Sequence, residues 1–349
     1  MSLKDIDSHK LGYHPERIAE WKRNGICSPL HIEAGITNRC NHKCIQCTLD
    51  WINHKSDCID SEVFIRMLLD AARIGVKSIY FAGEGEPTLH PDLPLFIKKA
   101  YDLGMKVAIS TNGSLFKPEL AAQVLPYLSW LRFSVDAATP ETFAKIHGVD
   151  ITEFNKVVRN ITFSALHSFT HNYACQVGIQ TLLMKENVDE IEQLANLAKC
   201  WKVHNFQVKP AHCHPKSSFI AGTHWDSRFE KLNELSTDKF TVIVRIKSLE
   251  RLKIERTYTR CHAFDLYALI DAQGNVTPCN IFYGDPHFIF GNLHDQSLEV
   301  IWKSDRKREI INKITDLNHS LCAEYRCRQD VMNRYLERVR NPEINDEFI

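Results

Sequence analysis

Between about residues 31 and 210, short β-rich runs alternate with longer amphipathic helical stretches, a pattern that few folds accommodate. In the first helical stretch Phe64, Met67 and Leu68 share one face, and Gly75 supplies the stop. Strands that alternate with helices in this way form βαβ units and pair in a parallel sheet. Six such units predict an open, partial (βα)6 barrel. The predicted strands are His31–Ile36, Ser78–Ala82, Lys106–Ser110, Trp130–Ser134, Gln176–Leu183 and Asn205–Lys209.

After about residue 211 the rhythm breaks and a different organisation begins. One further strand is predicted at Phe240–Ile246, and the turn signal at Asp271–Gly274 predicts a hairpin between two short strands. Leu298–Ile314 is predicted to be a single helix. We therefore expect an α/β fold with a smaller, cysteine-rich α+β domain at the C-terminal side. The predicted divisions are an N-terminal extension (1–30), a barrel core (31–215), a connector (216–255), the cysteine-rich domain (256–335) and a tail (336–349).

Charge and hydropathy exclude some classes of protein. Lys plus Arg and Asp plus Glu each number 43, so the formal net charge is zero. A general nucleic-acid binder usually carries a basic surplus, although a balanced chain can still hold a local basic pocket for an acidic or phosphorylated substrate. The polar N-terminus has no apolar signal region, and no run approaches the roughly 20 apolar residues that span a bilayer. We expect a cytoplasmic protein without a membrane partner.

The cysteines are distributed unevenly, and three of the twelve lie on one loop. Cys40, Cys44 and Cys47 have the spacing C-x3-C-x2-C directly after the first predicted strand. Thiolates are soft ligands that suit iron–sulfur clusters and zinc. Three of them can hold three irons of a four-iron cube and leave the fourth iron open. Zinc usually takes four ligands, and Cys58 and His42 are the neighbours that would have to complete such a site.

Polar and glycine-rich motifs follow the next three predicted strands. Gly83-Glu-Gly85-Glu86-Pro87 follows strand two, Thr111-Asn112 follows strand three, and Ser134-Val-Asp136 ends strand four. In parallel α/β folds, chemistry gathers at these carboxyl ends of the strands. Each motif has a structural alternative, since glycine and Asn-Gly mark ordinary turns and Ser or Asp caps helices. Their order on consecutive units favours a shared site.

Together, the cysteine loop and these strand-end motifs resemble the radical S-adenosylmethionine (SAM) superfamily. The resemblance implies that the three loop cysteines hold a 4Fe–4S cluster whose open iron binds SAM, and that a reductant such as flavodoxin or ferredoxin supplies an electron. SAM is then split to give a 5′-deoxyadenosyl radical, which removes a hydrogen atom from the substrate. Gln46 departs from the family, which often has an aromatic residue there. The residues implied to contact SAM are Gly83, Gly85, Glu86, Pro87, Thr111, Asn112, Ser134 and Asp136.

A second set of cysteines lies in the last quarter of the chain. Cys261 and Cys279 flank the predicted hairpin, and Cys322 and Cys327 follow the predicted Leu298–Ile314 helix. Four cysteines suffice for one fully ligated cluster. The pattern resembles the SPASM/twitch extension of radical SAM enzymes, which implies one auxiliary 4Fe–4S cluster. A zinc ribbon is the alternative.

Further candidates come after the sixth predicted strand. A thiol at Cys213 can return a hydrogen atom to a substrate radical, and Lys209, His212 and His214 can bind or deprotonate a substrate. An ordinary role as loop residues is the alternative for all four.

The outcome of the reaction depends on the fate of the substrate radical after hydrogen abstraction. Oxidation of a secondary alcohol, epimerisation through a cysteine donor and modification of a peptide all fit the motifs. Only 39 residues precede Cys40, fewer than the peptide-recognition domain of peptide-modifying relatives, so we expect a small polyol-type substrate such as a sugar, aminocyclitol or nucleoside derivative. A non-catalytic iron–sulfur or zinc-binding protein is the alternative of another class, and it leaves the strand-end motifs unexplained.

Overall fold

The computed structural model describes residues 9–52, 56–211, 214–219, 228–245, 247, 254–314, 322, 329–346 and 348. The described strands are β1 His31–Ala34, β2 Ser78–Phe81, β3 Lys106–Thr111, β4 Leu128–Ser134, β5 Gln176–Leu183, β6 Asn205–Pro210, β7 Thr241–Val244, β8 Tyr267–Ile270, β9 Asn275–Thr277 and β10 Gly291–Asn292. The described α-helices are α1 Pro15–Asn24, α2 Ser61–Arg73, α3 Leu93–Asp102, α4 Pro118–Val124, α5 Pro140–His147, α6 Thr152–Thr170, α7 Ile191–Cys200, α8 Arg228–Lys231, α9 Leu298–Lys303, α10 Asp305–Lys313 and α11 Asp330–Arg340.

The described strands form one ten-stranded sheet in the order β10-β9-β8-β1-β2-β3-β4-β5-β6-β7. Strands β1 to β7 are parallel and adjacent in chain order. The edges are β7 and β10, which do not pair with each other, so the barrel is open. The predicted α/β fold with a partial barrel of parallel strands is therefore confirmed.

The cysteine-rich region is joined to the barrel through the sheet itself. Strand β8 pairs in parallel with β1, and Tyr267 lies opposite His31. The predicted hairpin is present, because β8 and β9 are antiparallel and Gly274 turns the chain with a φ of 79°. This pairing brings the segment that carries Cys261 and Cys279 beside the first strand of the barrel.

The helices cover the sheet with the faces that the sequence pattern indicates. On α2, Phe64, Met67 and Leu68 are buried in the main hydrophobic core. Asp60 caps the helix by accepting hydrogen bonds from the N–H groups of Glu62 and Val63. Because the helices pack on the face of the sheet, the carboxyl ends of the strands are surrounded by the loops that follow each strand.

Several predicted elements have different boundaries in the structure, and two of them show why. The predicted helix Leu298–Ile314 is two helices, because Ser304 adopts an extended conformation and caps α10 through its side chain. Strand β4 begins at Leu128, because α4 ends at Val124 and a single 3-10 turn comes next. Ser304 is the kind of residue that begins a new helix, so the sequence did carry a signal for this break.

A small second core ties the N-terminal segment to the C-terminal helix. Trp21 on α1 and Leu336 on α11 are both buried in this cluster. The indole of Trp21 donates to Asp265, whose carboxylate also pairs with the fully buried Lys307 at 2.7 Å. Among the described helices, none combines the length and the apolar character needed to cross a membrane.

Candidate active site

The three-cysteine loop lies after β1 and is held against the C-terminal end of α5. The N–H groups of Lys43 and Ile45 donate to the carbonyls of His147 and Ile146, both at 2.9 Å. Within the loop, the N–H of Cys47 donates to the carbonyl of Cys44 at 3.2 Å. All three loop cysteines line one cavity at the carboxyl ends of the strands. A backbone held this way presents the sulfur atoms in one arrangement.

The chemistry of the three thiols suits a metal centre. Burial raises the pKa of Cys40 to about 11, that of Cys44 well above its usual value, and that of Cys47 as well. Metal binding displaces the thiol proton and supplies the positive charge that a buried thiolate needs. A zinc ion usually takes four protein ligands, whereas three cysteine ligands suit a four-iron cluster that keeps one iron open.

His42 and Cys58, the residues that would complete a zinc site, lie in different surroundings. The ligand atoms of His42, Cys44 and His147 all lie within 4.8 Å of one another. Burial lowers the pKa of His42 to about 4 and that of His147 to about 3, so both imidazoles are neutral at pH 7. Cys58 is exposed and its thiol donates to Thr37 at 3.1 Å. Cys58 does not line the cavity.

The glycine motif after β2 packs directly on the cysteine loop. Gly85 has a φ of 69°, and a Cβ atom there would lie 2.3 Å from the carbonyl of Thr37 and 2.5 Å from that of Arg39. The N–H of Glu86 donates to the carbonyl of Arg39 at 2.7 Å. Glycine is required at position 85 because the two backbones touch. Pro87 is buried and begins the short 3-10 turn at the end of the motif.

The Glu86 carboxylate connects the ends of β2 and β3. It accepts hydrogen bonds from the hydroxyl of Thr111 at 2.6 Å and from the N–H of Asn112 at 2.7 Å. The side-chain amide of Asn112 donates to Asn41 in the cysteine loop at 2.8 Å. Burial raises the pKa of Glu86 and these hydrogen bonds oppose the rise. The motifs after β2 and β3 and the cysteine loop therefore form one connected hydrogen-bond network.

The end of β4 reaches the same loop through Gln46, the residue that departs from the family pattern. Its amide nitrogen donates to Asp136 at 2.7 Å. Asp136 also accepts from the N–H of Leu182 at 2.6 Å and from Thr181 at 3.2 Å. Burial raises the pKa of Asp136 to about 6, and the hydrogen bonds and the charge of Lys209 oppose the rise. Gln46, Asp136 and Ser134 all line the cavity.

Three cysteines of the second set, Cys261, Cys279 and Cys322, line the same cavity. Cys261 and Cys279 are buried and Cys322 is half-buried. The side chain of Asn333 donates to the sulfur of Cys261 at 3.4 Å, and Arg256 donates to the carbonyl of Cys322 at 2.7 Å. Donors of this kind commonly surround cluster sulfurs. Cys327, the fourth predicted ligand, lies outside the described residues.

The candidates at the end of β6 and in the segment that follows it fall in different places. Lys209 lines the cavity. His214 is buried away from the cavity lining, where it stacks on Trp51 with ring centroids 5.2 Å apart and bonds the carbonyl of Asn280 at 3.2 Å. His212 and Cys213 lie outside the described residues, so their roles stay predictions.

The cavity has a volume of about 580 Å³, within the range of small-molecule sites.

Several side chains that line the cavity walls were missed by the sequence analysis, because a strand buried on both faces shows no clear alternation of polar and apolar residues. Their spacing of two along β4 was the available signal, since residues 130, 132, 134 and 136 all line the cavity. The lining residues missed by the sequence include Glu33, Tyr80, Ser110, Trp130, Arg132, His147, Gln180, Arg245, Arg256 and Tyr258.

Two family models match the chain. The radical SAM superfamily model matches residues 35–198, and the SPASM iron–sulfur cluster-binding domain model matches residues 261–328. The first range contains the C-x3-C-x2-C loop and the strand-end motifs. The second contains all four cysteines of the C-terminal set.

Characterised relatives carry out different reactions. The chain is 26% identical over 304 residues to the tungsten-containing aldehyde ferredoxin oxidoreductase cofactor-modifying protein of Pyrococcus furiosus, covering 78% of this chain and 80% of that protein. It is 29% identical over 257 residues to an S-adenosylmethionine-dependent nucleotide dehydratase of Flammeovirga pacifica, covering 70% and 82%. It is 25% identical over 303 residues to the mycofactocin maturase MftC of Mycobacterium tuberculosis, covering 82% and 74%.

Solved structures share the fold. SuiB of Streptococcus suis, bound to its precursor peptide SuiA, superposes with a TM-score of 0.66 at 18% identity, covering 86% of this chain and 70% of SuiB. The enzyme anSMEcpe with bound S-adenosylmethionine has a TM-score of 0.57 at 17% identity, covering 90% and 99%. At these identities the likeness describes the architecture alone.

Proposed function

The chain belongs to the radical SAM superfamily and carries a SPASM-type iron–sulfur domain, and on that basis we propose that it oxidises a secondary alcohol of a small polyol-type metabolite. Its cofactors are SAM and 4Fe–4S clusters. The proposal assigns the SAM-binding cluster to Cys40, Cys44 and Cys47. It assigns one auxiliary cluster to Cys261, Cys279, Cys322 and Cys327.

When bound, the SAM-site cluster and SAM supply a 5′-deoxyadenosyl radical for hydrogen abstraction, and the auxiliary cluster supplies an acceptor for the second electron. The protein's own groups hold these parts and the substrate. The glycines let the motif pack closely, Gly83 against Tyr283 and Gly85 against the cysteine loop, and the network around Glu86 holds that backbone on the loop. Lys209 lines the cavity, and we assign it to bind the substrate, because its charged amine can donate a hydrogen bond to a substrate hydroxyl.

The observation that carries this proposal is the shared cavity. The cysteines that line one space of about 580 Å³ are Cys40, Cys44 and Cys47 of the loop and Cys261, Cys279 and Cys322 of the second set. A substrate bound in this cavity shares one space with both proposed cofactor sites, which supports hydrogen abstraction at one site and electron transfer to the other. The hydroxyls of Tyr80 and Ser110 and the amide of Gln180 give the walls the polarity that suits a polyol.

Other outcomes of the radical step are distinguished by product mass. Return of a hydrogen atom gives an epimer, and the relatives include a nucleotide dehydratase and a maturase. Oxidation removes two hydrogen atoms, epimerisation changes no mass, and dehydration removes water. A small metabolite that loses two hydrogens supports the proposal, whereas turnover of peptides alone contradicts it.

The first experiment tests the radical step. Anaerobically reconstituted enzyme, given SAM and either dithionite or a flavodoxin or ferredoxin as reductant, is expected to form 5′-deoxyadenosine. It should hold about eight irons and eight sulfides per chain, as two four-iron cubes require. Cys44→Ala should abolish 5′-deoxyadenosine and lose about four irons. Cys58→Ala is the matched control, because Cys58 is exposed near the loop but outside the cavity. Product formation by Cys44→Ala, or one or two zincs in place of iron, excludes the mechanism.

A further inference from the structure

Three side chains that can ligate a metal meet where the cysteine loop packs on the end of α5. They are His42 and Cys44 of the loop and His147, the last residue of α5. One ligand atom of each residue lies within 4.8 Å of the ligand atoms of the other two. Only Cys44 is also a proposed cluster ligand. This group therefore overlaps the SAM-site cluster at one residue and is otherwise separate from it.

The contact between Cys44 and His147 has a length that a shared metal ion can span. The sulfur of Cys44 lies 3.4 Å from Nδ1 of His147. Zinc bonds a thiolate at about 2.3 Å and an imidazole nitrogen at about 2.0–2.1 Å, so one ion can contact both atoms. The other ring nitrogen of His147 lies 3.7 Å from the Asp136 carboxylate. A carboxylate on that side commonly supports a zinc-bound histidine, because it favours a proton on the nitrogen that does not bind the metal.

His42 has one ring nitrogen with a partner and one without. Its Nε2 atom hydrogen bonds the hydroxyl of Ser114 at 2.6 Å. Among the residues that the structure describes, the buried Nδ1 atom has no hydrogen-bond partner, and the residue is only 3% exposed. A buried polar atom without a partner is rare in proteins, and a bound ion is one of the groups that satisfies it. Nδ1 of His42 is thus the atom available to a metal.

Two imidazoles and one thiolate suit zinc, whereas calcium and magnesium prefer oxygen ligands. Three protein ligands leave one position of a tetrahedral zinc ion for water, and all three residues line the cavity. Zinc binding releases the thiol proton of Cys44 to solvent. The proton of His147 moves from Nδ1 to Nε2, which gives up the long contact of Nε2 with the N–H of Asp136 at 3.4 Å. No oxidant or reductant is required.

We propose that His42, Cys44 and His147 bind one zinc ion when the SAM-site cluster is absent. Zinc and the cluster exclude each other, because both need the sulfur of Cys44. Zinc bound at these residues keeps this thiol from iron, so the zinc supply affects how much of the protein acquires its SAM-site cluster. The zinc site does not depend on which substrate the enzyme takes.

The first test uses full-length Cys40→Ala/Cys47→Ala protein, reconstituted to fill the auxiliary site and then treated with EDTA. This protein lacks two cluster ligands of the loop but keeps all three proposed zinc ligands. It is expected to bind one zinc ion per chain, and Co²⁺ used as a probe should give sulfur-to-cobalt charge-transfer absorbance. Adding His42→Phe or His147→Phe should weaken zinc binding at least about tenfold, since even outer-shell partners of a metal site contribute about 10–100-fold. Metal held elsewhere cancels in this comparison.

Cys58→Ala in the same double variant is the matched control, because Cys58 is an exposed cysteine near the loop and outside the cavity. Its zinc affinity should stay within about twofold of the parent, as expected for a side chain that does not touch the ion. Far-UV circular dichroism verifies folding, and the two histidines give independent positions if one variant does not fold.

The second test measures competition in the wild-type chain. Metal-free protein is given zinc before anaerobic reconstitution, and the SAM-site cluster is then quantified by the change in its resonance signal when SAM is added. Zinc should lower this signal in wild type and leave it unchanged in folded His42→Phe. The zinc site is overturned if the Cys40→Ala/Cys47→Ala protein binds no zinc or if folded His42→Phe and His147→Phe variants bind zinc as tightly as their parent. It is also overturned if zinc lowers the signal equally in wild type and His42→Phe.

Discussion

The Nδ1 atom of His147 lies 3.4 Å from the sulfur of Cys44. Its other ring nitrogen accepts the backbone N–H of Asp136 at 3.4 Å, so the proton of the neutral imidazole belongs on Nδ1. The ring is fully buried and stacks on Phe143 with centroids 4.1 Å apart. His147 therefore donates a hydrogen bond to a proposed cluster ligand from a fixed position. Hydrogen bonds to cluster sulfurs stabilise the reduced, more negative state and raise the reduction potential.

Replacing His147 by Phe should therefore lower the potential of the SAM-site cluster. A net hydrogen bond of about 0.5–1.5 kcal/mol corresponds to roughly 20–65 mV for one electron. A redox titration followed by electron paramagnetic resonance measures the shift. His147→Gln is the matched variant, because its amide retains a donor and should recover part of the potential. An unchanged potential in a folded His147→Phe protein with full iron content would remove this role.

Loss of one auxiliary ligand should affect only the auxiliary cluster. Cys279→Ala is expected to lose about four irons per chain while keeping the resonance signal of the SAM-site cluster. Substrate turnover should fall with it, since the second electron loses its acceptor. Cys200→Ala is the control, because Cys200 is an exposed cysteine at the end of α7. Full iron content in Cys279→Ala would contradict the assignment of this cysteine.

The elements and motifs that sequence predicted well are local. Helix α2, from Ser61 to Arg73, buries the predicted face of Phe64, Met67 and Leu68, and it begins after Asp60, a capping residue visible in the chain itself. The cysteine spacing and strand-end motifs are equally local. In parallel folds the position after a strand is enough to bring such motifs together.

The contacts that sequence could not predict join distant segments. Gln46 and Asp136 are 90 residues apart, and the pairing of β1 with β8 joins residues more than 200 positions apart. Periodicity carries no information on such pairs, because the same pattern fits many partners. In the sequence His147 is only the last residue of a helical stretch, and the packing of α5 on the cysteine loop is what reveals its contact with Cys44.

A comparison of alanine substitutions at Gly85 and Gly104 distinguishes two costs of an added Cβ atom. One is a clash with a neighbouring backbone, and the other is strain at a positive φ. Both glycines have positive φ, 69° and 83°, but only Gly85 has carbonyl oxygens where a Cβ would lie. Gly104→Ala should cost about 1 kcal/mol through strain alone. Gly85→Ala should cost about 3 kcal/mol or more and weaken SAM binding, since the motif must move off the cysteine loop. Thermal unfolding and SAM titration measure the two effects, and equal losses in both variants would contradict the contact.

Glu84 should give the protein a stability that falls as pH rises. Burial raises the pKa of Glu84 to about 8 from the usual 4.5, and a hydrogen bond from the N–H of Ala272 opposes the rise. Between these two values the unfolded chain has lost its proton while the folded chain retains it, so rising pH favours unfolding and the effect levels off above about 8. Nearby Asp271 also has a raised pKa from burial, so the wild-type slope is not due to Glu84 alone.

Glu84→Gln isolates the contribution of this one carboxyl group. The amide keeps an oxygen acceptor for Ala272 but has no proton to lose, and Asp271 is unchanged in the variant. The variant should therefore gain stability relative to wild type as pH rises from about 5 to 8. Chemical denaturation of both reconstituted proteins at matched pH values measures the difference. Parallel stability curves across this range would show that Glu84 ionises in the folded protein as easily as in the unfolded chain, and that burial beside Ala272 does not hold its proton.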